Sequence, residues 1–312
     1  MANLILSFEV VFPLFLCILL GAGLRRAGMI REEMLNDLNR LCFRVFLPVY
    51  LYDNISRTEL SEAFHGRLVA CSFGIVSVIF LLCMLVIPRI ERENRNRGVM
   101  IQAIFRSNFA LFGLPVAISL CGDEGAGPTS LLVGLLVPFY NVLAVITLEF
   151  FRGGRPEARK MLRGILTNPL ILASLAGILV NLSGITLPAV LTKTVTDVGR
   201  VATPLSLVVL GASFVLGSVS LYRRQLAISL TAKLLLFPLA AISLAAALGF
   251  RGDLLVPVLV FSGAPTAVSS YTMAQQMEGN GELAADLVVL TTGCCIFTMF
   301  LWIFLCKQTG LI

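Results

Sequence analysis

Stretches of about twenty predominantly apolar residues, separated by short charged or Gly/Pro-rich connections, succeed one another along the whole chain. They fall at roughly 4–24, 36–56, 67–88, 98–121, 128–151, 162–182, 190–217, 223–249, 254–276 and 285–306. Twenty apolar residues at helical rise match the hydrocarbon thickness of a bilayer, so each stretch predicts a spanning helix. The second is the weakest, because it carries Arg40, Arg44 and Asp53. The pattern predicts an all-α polytopic membrane protein with ten transmembrane helices and no extramembrane domain.

Charge sharpens this picture. Connections after odd-numbered stretches hold the basic clusters: Arg25, Arg26 and Arg31; Arg89 to Arg97; Arg152 to Arg163; and Arg223 with Arg224. Those after even-numbered stretches, and both tails, hold few cations. By the positive-inside rule both termini face away from the cytoplasm, in a multi-pass protein of the cell inner (plasma) membrane. Composition agrees: of 312 residues 57% are apolar and 13% charged, with a mean hydropathy of +0.92, whereas a soluble domain is about 25% charged. A soluble enzyme is excluded. The net charge of +6 reflects topology rather than nucleic-acid binding, since no polar domain presents it. The eight cysteines lie in or at the edge of apolar runs without metal-ligand spacing, so neither a cofactor nor a metal is expected.

The chain also resembles itself at half its length. At an offset of 156, Pro13 corresponds to Pro169, Gly21 to Gly177, Arg44 to Arg200, Pro48 to Pro204 and Arg67 to Arg223. The triplet Gly113-Leu114-Pro115 recurs as Gly263-Ala264-Pro265 at an offset of 150. Five stretches per half is an odd number, so the second copy would be inserted upside down. Residues 1–156 and 157–312 then form two inverted five-helix repeats.

Inverted repeats and paired Gly/Pro-interrupted spans are the mark of secondary transporters, which bind their substrate at such breaks near the midplane. Proline removes a helical hydrogen bond and glycine permits unwinding, so the two triplets predict breaks in spans 4 and 9. Pro115-Val116 and Pro265-Thr266 would open the second half-helices, bringing two positive helix ends together, which suits an anion. Ser269 and Ser270 follow the second break, and Asn108 precedes the first.

Arg106 lies about eight residues, or roughly 12 Å at helical rise, into its span. Arg44 and Lys233 enter theirs to similar depth. Two readings stand: the three cations attract or couple to the anion, or Arg44 and Arg106 pair structurally with Asp53, Glu149 or backbone carbonyls. Acids within or bordering spans (Glu9, Asp53, Glu149, Asp197 and Asp286) do not adjoin the Gly-Pro triplets. Proton or sodium coupling stays open.

Ser107-Asn108-Phe109 leading into Gly113-Leu114-Pro115, the run Val137-Pro138-Phe139-Tyr140-Asn141-Val142-Leu143, and Gly263-Ala264-Pro265-Thr266-Ala267-Val268 resemble the auxin efflux carrier family, over essentially the whole chain. The family pattern has an asparagine seven residues before the proline of span 4, as Asn108 stands to Pro115. The resemblance implies a scaffold of spans 1, 2, 6 and 7, a transport domain of spans 3–5 and 8–10, and elevator-type alternating access. It also implies a homodimer, and a substrate carboxylate at the crossover of spans 4 and 9, near Asn108, Pro115 and Pro265, with Asn141 assisting. The cargo class it implies is a malate-, malonate- or auxin-like acid. Where bacterial members often carry asparagine after the second break, this chain has Ser269 and Ser270.

Rival classes are weaker. The only histidine, His65, lies in a connection, and no HExxH or GxGD motif occurs, which argues against an intramembrane enzyme. A sodium-coupled symporter or sodium/proton antiporter of a related crossed-helix fold would place carboxylates beside the breaks. A non-transporting receptor or channel would show no trans-stimulation.

Overall fold

The computed structural model describes residues 2–57, 65–125, 127–152, 162–164, 166–185, 187–214 and 216–312, and without their side chains residues 2–11, 114, 123–125 and 216–218. The expected half-chain boundary at 156, and Glu9 as a side chain, lie outside what is described.

Helix occupies each of the apolar stretches. In chain order these are α1 (Ala2–Arg26), α2 (Glu32–Leu41), a π turn (Cys42–Phe46), α3 (Leu47–Ser56), α4 (Gly66–Ile90), α5 (Asn94–Phe105), α6 (Phe109–Gly125) and α7 (Gly127–Phe150). The second half contributes α8 (Pro169–Ser183), α9 (Ala189–Arg200), α10 (Ala202–Ser213), α11 (Leu216–Leu221), α12 (Arg223–Thr231), a second π turn (Ala232–Leu236), α13 (Phe237–Ala247), α14 (Val256–Gly263), α15 (Ser269–Gln276) and α16 (Gly281–Gln308). No strand occurs among the described residues. Five continuous helical segments are long and apolar enough to cross a membrane, and a bent pair would make six. The rest are shorter or interrupted.

The interruptions have identifiable causes. Each π turn runs directly into a Leu-Pro or Phe-Pro pair, Leu47-Pro48 and Phe237-Pro238. Proline cannot donate to the carbonyl four residues back, and the widened turn accommodates that lost bond. At the second site the Leu234 carbonyl, four residues before Pro238, is taken by the Trp302 indole N–H at 2.9 Å. Asn168 starts α8 by accepting from the Leu170 amide at 2.9 Å with Pro169 behind it, and Gly184 ends it at φ 66°, a conformation that suits glycine.

Packing gathers most helices into two groups, which also touch, chiefly through α1 against α16. In the first, α1 runs along α10, and α3 lies against α8 and α9. A β-carbon on Gly21 would fall onto the Val208 carbonyl of α10, and one on Gly211 onto the Ile18 carbonyl of α1. Those two helices touch backbone to backbone, the close approach that small residues permit in membranes. Gly177 does the same for α8 against α3, where a β-carbon would sit 3.2 Å from the Tyr52 carbonyl. The second group joins α4, α5 and α7 with α12 to α16.

In the second group Glu91, in the turn after α4, accepts from the amides of Arg92 and Glu93 at 2.9 Å and from Gln225 Nε2 at 2.8 Å. Burial alone would raise its pKa, but these donors outweigh it and hold the carboxyl below its ordinary value. A depressed carboxylate stabilises the fold above its unfolded pKa, and that contribution disappears as pH falls through the folded one. Glu91→Gln is therefore expected to shrink the loss of thermal stability between neutral and acidic pH, checked by melting curves of both proteins across that range.

Candidate functional site

Two of the interrupted helices meet at their breaks. The first path leaves α5 at Phe105, passes through Arg106–Asn108 with Arg106 extended (φ −81°, ψ 133°), and resumes as α6 at Phe109. The second leaves α14 at Gly263, crosses residues 264–268, and resumes as α15 at Ser269. Ala264 precedes a proline and is extended (φ −65°, ψ 152°), as such residues prefer.

Backbone groups freed by these breaks satisfy one another, which a low-dielectric interior demands. The Asn108 amide donates to the Pro265 carbonyl at 2.8 Å. Thr266 Oγ1 donates to the Ala103 carbonyl at 2.9 Å, and the Thr266 amide to Thr291 Oγ1 at 3.2 Å. Gln102 Nε2 reaches the Ser270 carbonyl at 3.0 Å. The two breaks are thus one hydrogen-bonded unit.

The opening at 106–108 lies seven residues upstream of Gly113-Leu114-Pro115, where the sequence predicted a break. At the triplet itself helical hydrogen bonding is continuous from Phe109 to Gly125, yet the helix axis turns there. The segments Asn94–Gly113 and Pro115–Gly122 meet at 61° across Leu114, so the chain bends sharply where the Gly-Pro triplet predicted, with Pro115 first in the second segment. Gly113 serves packing: a β-carbon there would lie 2.9 Å from Val133 Cγ2 on α7. Gly263, by contrast, does close its half-helix, and its carbonyl accepts from Cys295 Sγ at 3.6 Å.

Beside the crossing is a cavity of about 50 Å³, enough for a few waters or a carboxylate-sized group. Arg106, Ser107, Asn108, Tyr140, Asn141, Ala267, Val268 and Ser269 line one wall, and Leu47, Tyr50, Leu51, Leu170, Thr203 and Ser206 the other. It therefore lies between the two packing groups.

Arg106 dominates the cavity's electrostatics. It is only 4% exposed, and its guanidinium donates to Ser269 Oγ (2.7 Å), Asn141 Oδ1 (2.5 Å), Gln102 Oε1 (3.3 Å) and Met273 Sδ (2.6 Å). All four partners are neutral. The acids expected as structural partners are engaged elsewhere: Asp53 with Arg57 at 2.8 Å, and Glu149 with Arg152 at 3.1 Å. Arginine has no acceptor, so it fixes the Asn141 amide with its oxygen toward the guanidinium and its NH₂ turned away. That Nδ2, with Asn108 Nδ2, Ser107 Oγ, Tyr140 OH and Ser206 Oγ, is buried without a hydrogen-bond partner among the described residues. Such groups are rare in packed interiors and accumulate where a ligand or water binds. Ala267–Ser269 add the amides of a helix start.

The other expected cations do not converge here. Arg44 sits in the first π turn and is exposed. Lys233 is fully buried in the second π turn, with Nζ 4.9 Å from the Phe237 ring centre and no hydrogen-bond acceptor among the described residues. Neither lines the cavity. Ser270 is buried just behind it and holds Gln102 through its carbonyl. The sequence reading quoted Ser107 and Tyr140 in its motifs without assigning either to the site, and it missed Thr203 and Ser206. Ser107 and Tyr140 adjoin residues it did single out, whereas nothing in the local sequence of α10 marks Thr203 or Ser206.

Comparison with known proteins bears on this geometry. A family model described as "Membrane transport protein" matches residues 6–154 and 155–303. A Rhizobium meliloti protein named "Putative malonate transporter" is 23% identical over 309 residues, covering 96% of both chains. An "Uncharacterized transporter" of Methanothermobacter thermautotrophicus is 23% identical over 301 residues, covering 95% of this chain and 97% of its own. Another, from Methanocaldococcus jannaschii, is 20% identical over 312 residues, covering 95% and 98%.

Proposed function

Because the chain belongs to the membrane transport protein family, and is thus a multi-pass membrane transporter, we propose that its cargo is a small organic anion, a carboxylate bound at the crossing of the two broken helices. The observation that carries this reading is Arg106: a buried guanidinium with neutral partners only, in a cavity lined by unpartnered donors. A carboxylate supplies both the missing charge and the missing acceptors. The described lining contains no carboxylate, which disfavours sodium as the primary ligand there and leaves proton or sodium coupling, if any, to another place.

In this reading the chain spans the membrane ten times as two inverted five-helix repeats, 1–156 and 157–312, with both termini extracytoplasmic in the plasma membrane. Two features support it. The breaks at 106–108 and 264–268 are spaced by close to half the chain, nearer the general offset than the Gly-Pro triplets were. Gly21 packs α1 on α10, and its counterpart Gly177 packs α8 on α3, so corresponding residues make corresponding contacts. Transport then occurs by elevator-type alternating access, with α1–α3 and α8–α10 as a scaffold, paired into a homodimer, and the rest moving. A cavity located between those two groups suits that division. The malonate named for the Rhizobium relative is a chemically fitting cargo for so small a cavity.

The test is thermal stabilisation of the purified protein by malonate, malate, pyruvate and indole-3-acetate, with and without sodium, since a ligand of the folded state raises its melting temperature. One of these acids is expected to stabilise the wild type. Asn108→Ala, which removes a free Nδ2 donor to an anion, is expected to weaken that acid's binding by at least about tenfold, in keeping with roughly 1.5–3 kcal/mol for a hydrogen bond to a charged group. Stabilisation by sodium alone, or an unchanged affinity in Asn108→Ala, would count against the site.

A further inference from the structure

Four charged side chains are buried among the described residues: Glu91, Arg106, Lys233 and Asp286. Glu91 lies in a turn at the end of the span α4, satisfied by local amides. Lys233 and Asp286 are opposite in sign and lie outside the cavity lining, so neither adds a charge to the site itself. Arg106 remains. Arginine does not deprotonate in proteins, and no carboxylate among the described side chains forms an ion pair with it. The empty site is therefore a cation held in the apolar interior.

We propose that Arg106 is the resident counter-charge of the transport cycle: the site carries +1 when empty and is neutral when it holds a singly charged carboxylate, so the membrane potential acts on the return of the empty site. This rests on the anion-carrier reading above and deepens it by naming the charge class of the cargo and the step that is driven. No coupling ion is required. A charge crossing the whole field experiences about 2.3 kcal/mol per 100 mV, at most about a 50-fold bias at that potential. An inside-negative potential holds the empty cationic site toward the cytoplasm, where it loads. The neutral complex then moves outward regardless of voltage, releases its anion, and the cation is drawn back. Export is the favoured direction. A dianion would leave the complex at −1 in a cavity whose lining offers no second cation, so the singly protonated form of a dicarboxylic acid is the better cargo.

The experiment uses the whole protein in liposomes with potassium gradients and valinomycin to set the potential. Radiolabelled malonate serves as probe at a pH where hydrogen malonate is abundant, and monomethyl malonate as a permanently monoanionic competitor. Net flux into acid-free buffer is expected to change several-fold with the sign of the potential, while one-for-one exchange at saturating acid on both sides stays constant. Monomethyl malonate should compete equally well across pH, and malonate less well as it loses its second proton. Arg106→Lys retains this voltage pattern. Arg106→Gln, assayed at higher concentration to offset its weaker affinity, transfers the voltage response to exchange. Exchange as voltage-dependent as net flux in the wild type, or net flux indifferent to potential, overturns the proposal even though anion transport is then real. Absence of saturable flux for either acid removes the carrier reading itself, and this proposal with it.

Discussion

Arg106→Gln binds the transported acid at least about 30-fold more weakly than the wild type, while its melting temperature without ligand changes little. The first half follows from removing one member of a buried, hydrogen-bonded charge pair, which costs 2–5 kcal/mol or more, and 2 kcal/mol is about 30-fold. The second follows from the neutral surroundings. Ser269, Asn141 and Gln102 are as content with a carboxamide as with a guanidinium, and the variant no longer holds an uncompensated charge in the interior. Arg106→Lys separates charge from geometry: it keeps the cation but loses the planar fork, and should fall between the two within about tenfold of wild type. Titration of the stabilising acid against all three proteins reads this directly. If Arg106→Gln titrated like the wild type, the guanidinium would be a structural group and the anion would bind elsewhere.

The helices were legible because a spanning helix must be apolar over a fixed length, and each apolar stretch from 4–24 to 285–306 is helical, five continuous segments being long enough to cross a membrane alone. The second break was legible for a similar reason, since Ala264-Pro265 both removes a donor and forces the preceding residue to extend. The bend at Gly113-Leu114-Pro115 was legible in the same way, but the opening seven residues upstream was not. At the triplet the axis turns by 61°, whereas the opening at Arg106-Ser107-Asn108 contains no proline at all. It is held open by partners far away in sequence, chiefly Pro265, Thr266 and Ser270, which no local pattern encodes. Depth along a span likewise could not tell which way a cation points. Arg44, Arg106 and Lys233 enter their helices comparably, yet only the extended backbone at Arg106 turns its side chain into the cavity.

Gly211→Val is expected to destabilise the protein by more than about 3 kcal/mol, and with it to remove anion binding. Overpacking a core side chain usually costs 1–3 kcal/mol because neighbouring side chains can shift. Here the obstacle is the Ile18 carbonyl, and on the reciprocal side Gly21 faces the Val208 carbonyl and the Ala212 amide. Backbone cannot rotate out of the way, so α1 and α10 must separate along their shared face and lose the contacts that hold helices together in lipid. The same α10 carries Thr203 and Ser206 into the cavity, so displacing it also opens the wall opposite Arg106. Gly74, in the middle of α4, is the control: no atom lies within 4 Å of its β-carbon position, and Gly74→Ala should be neutral or slightly stabilising through helix propensity. Melting curves of the two variants in detergent, followed by acid titration of whatever remains folded, separate the effects. A Gly211→Val protein that melts with the wild type would mean that α1 and α10 do not cross at these glycines, and the α10 wall of the cavity would have to be rebuilt.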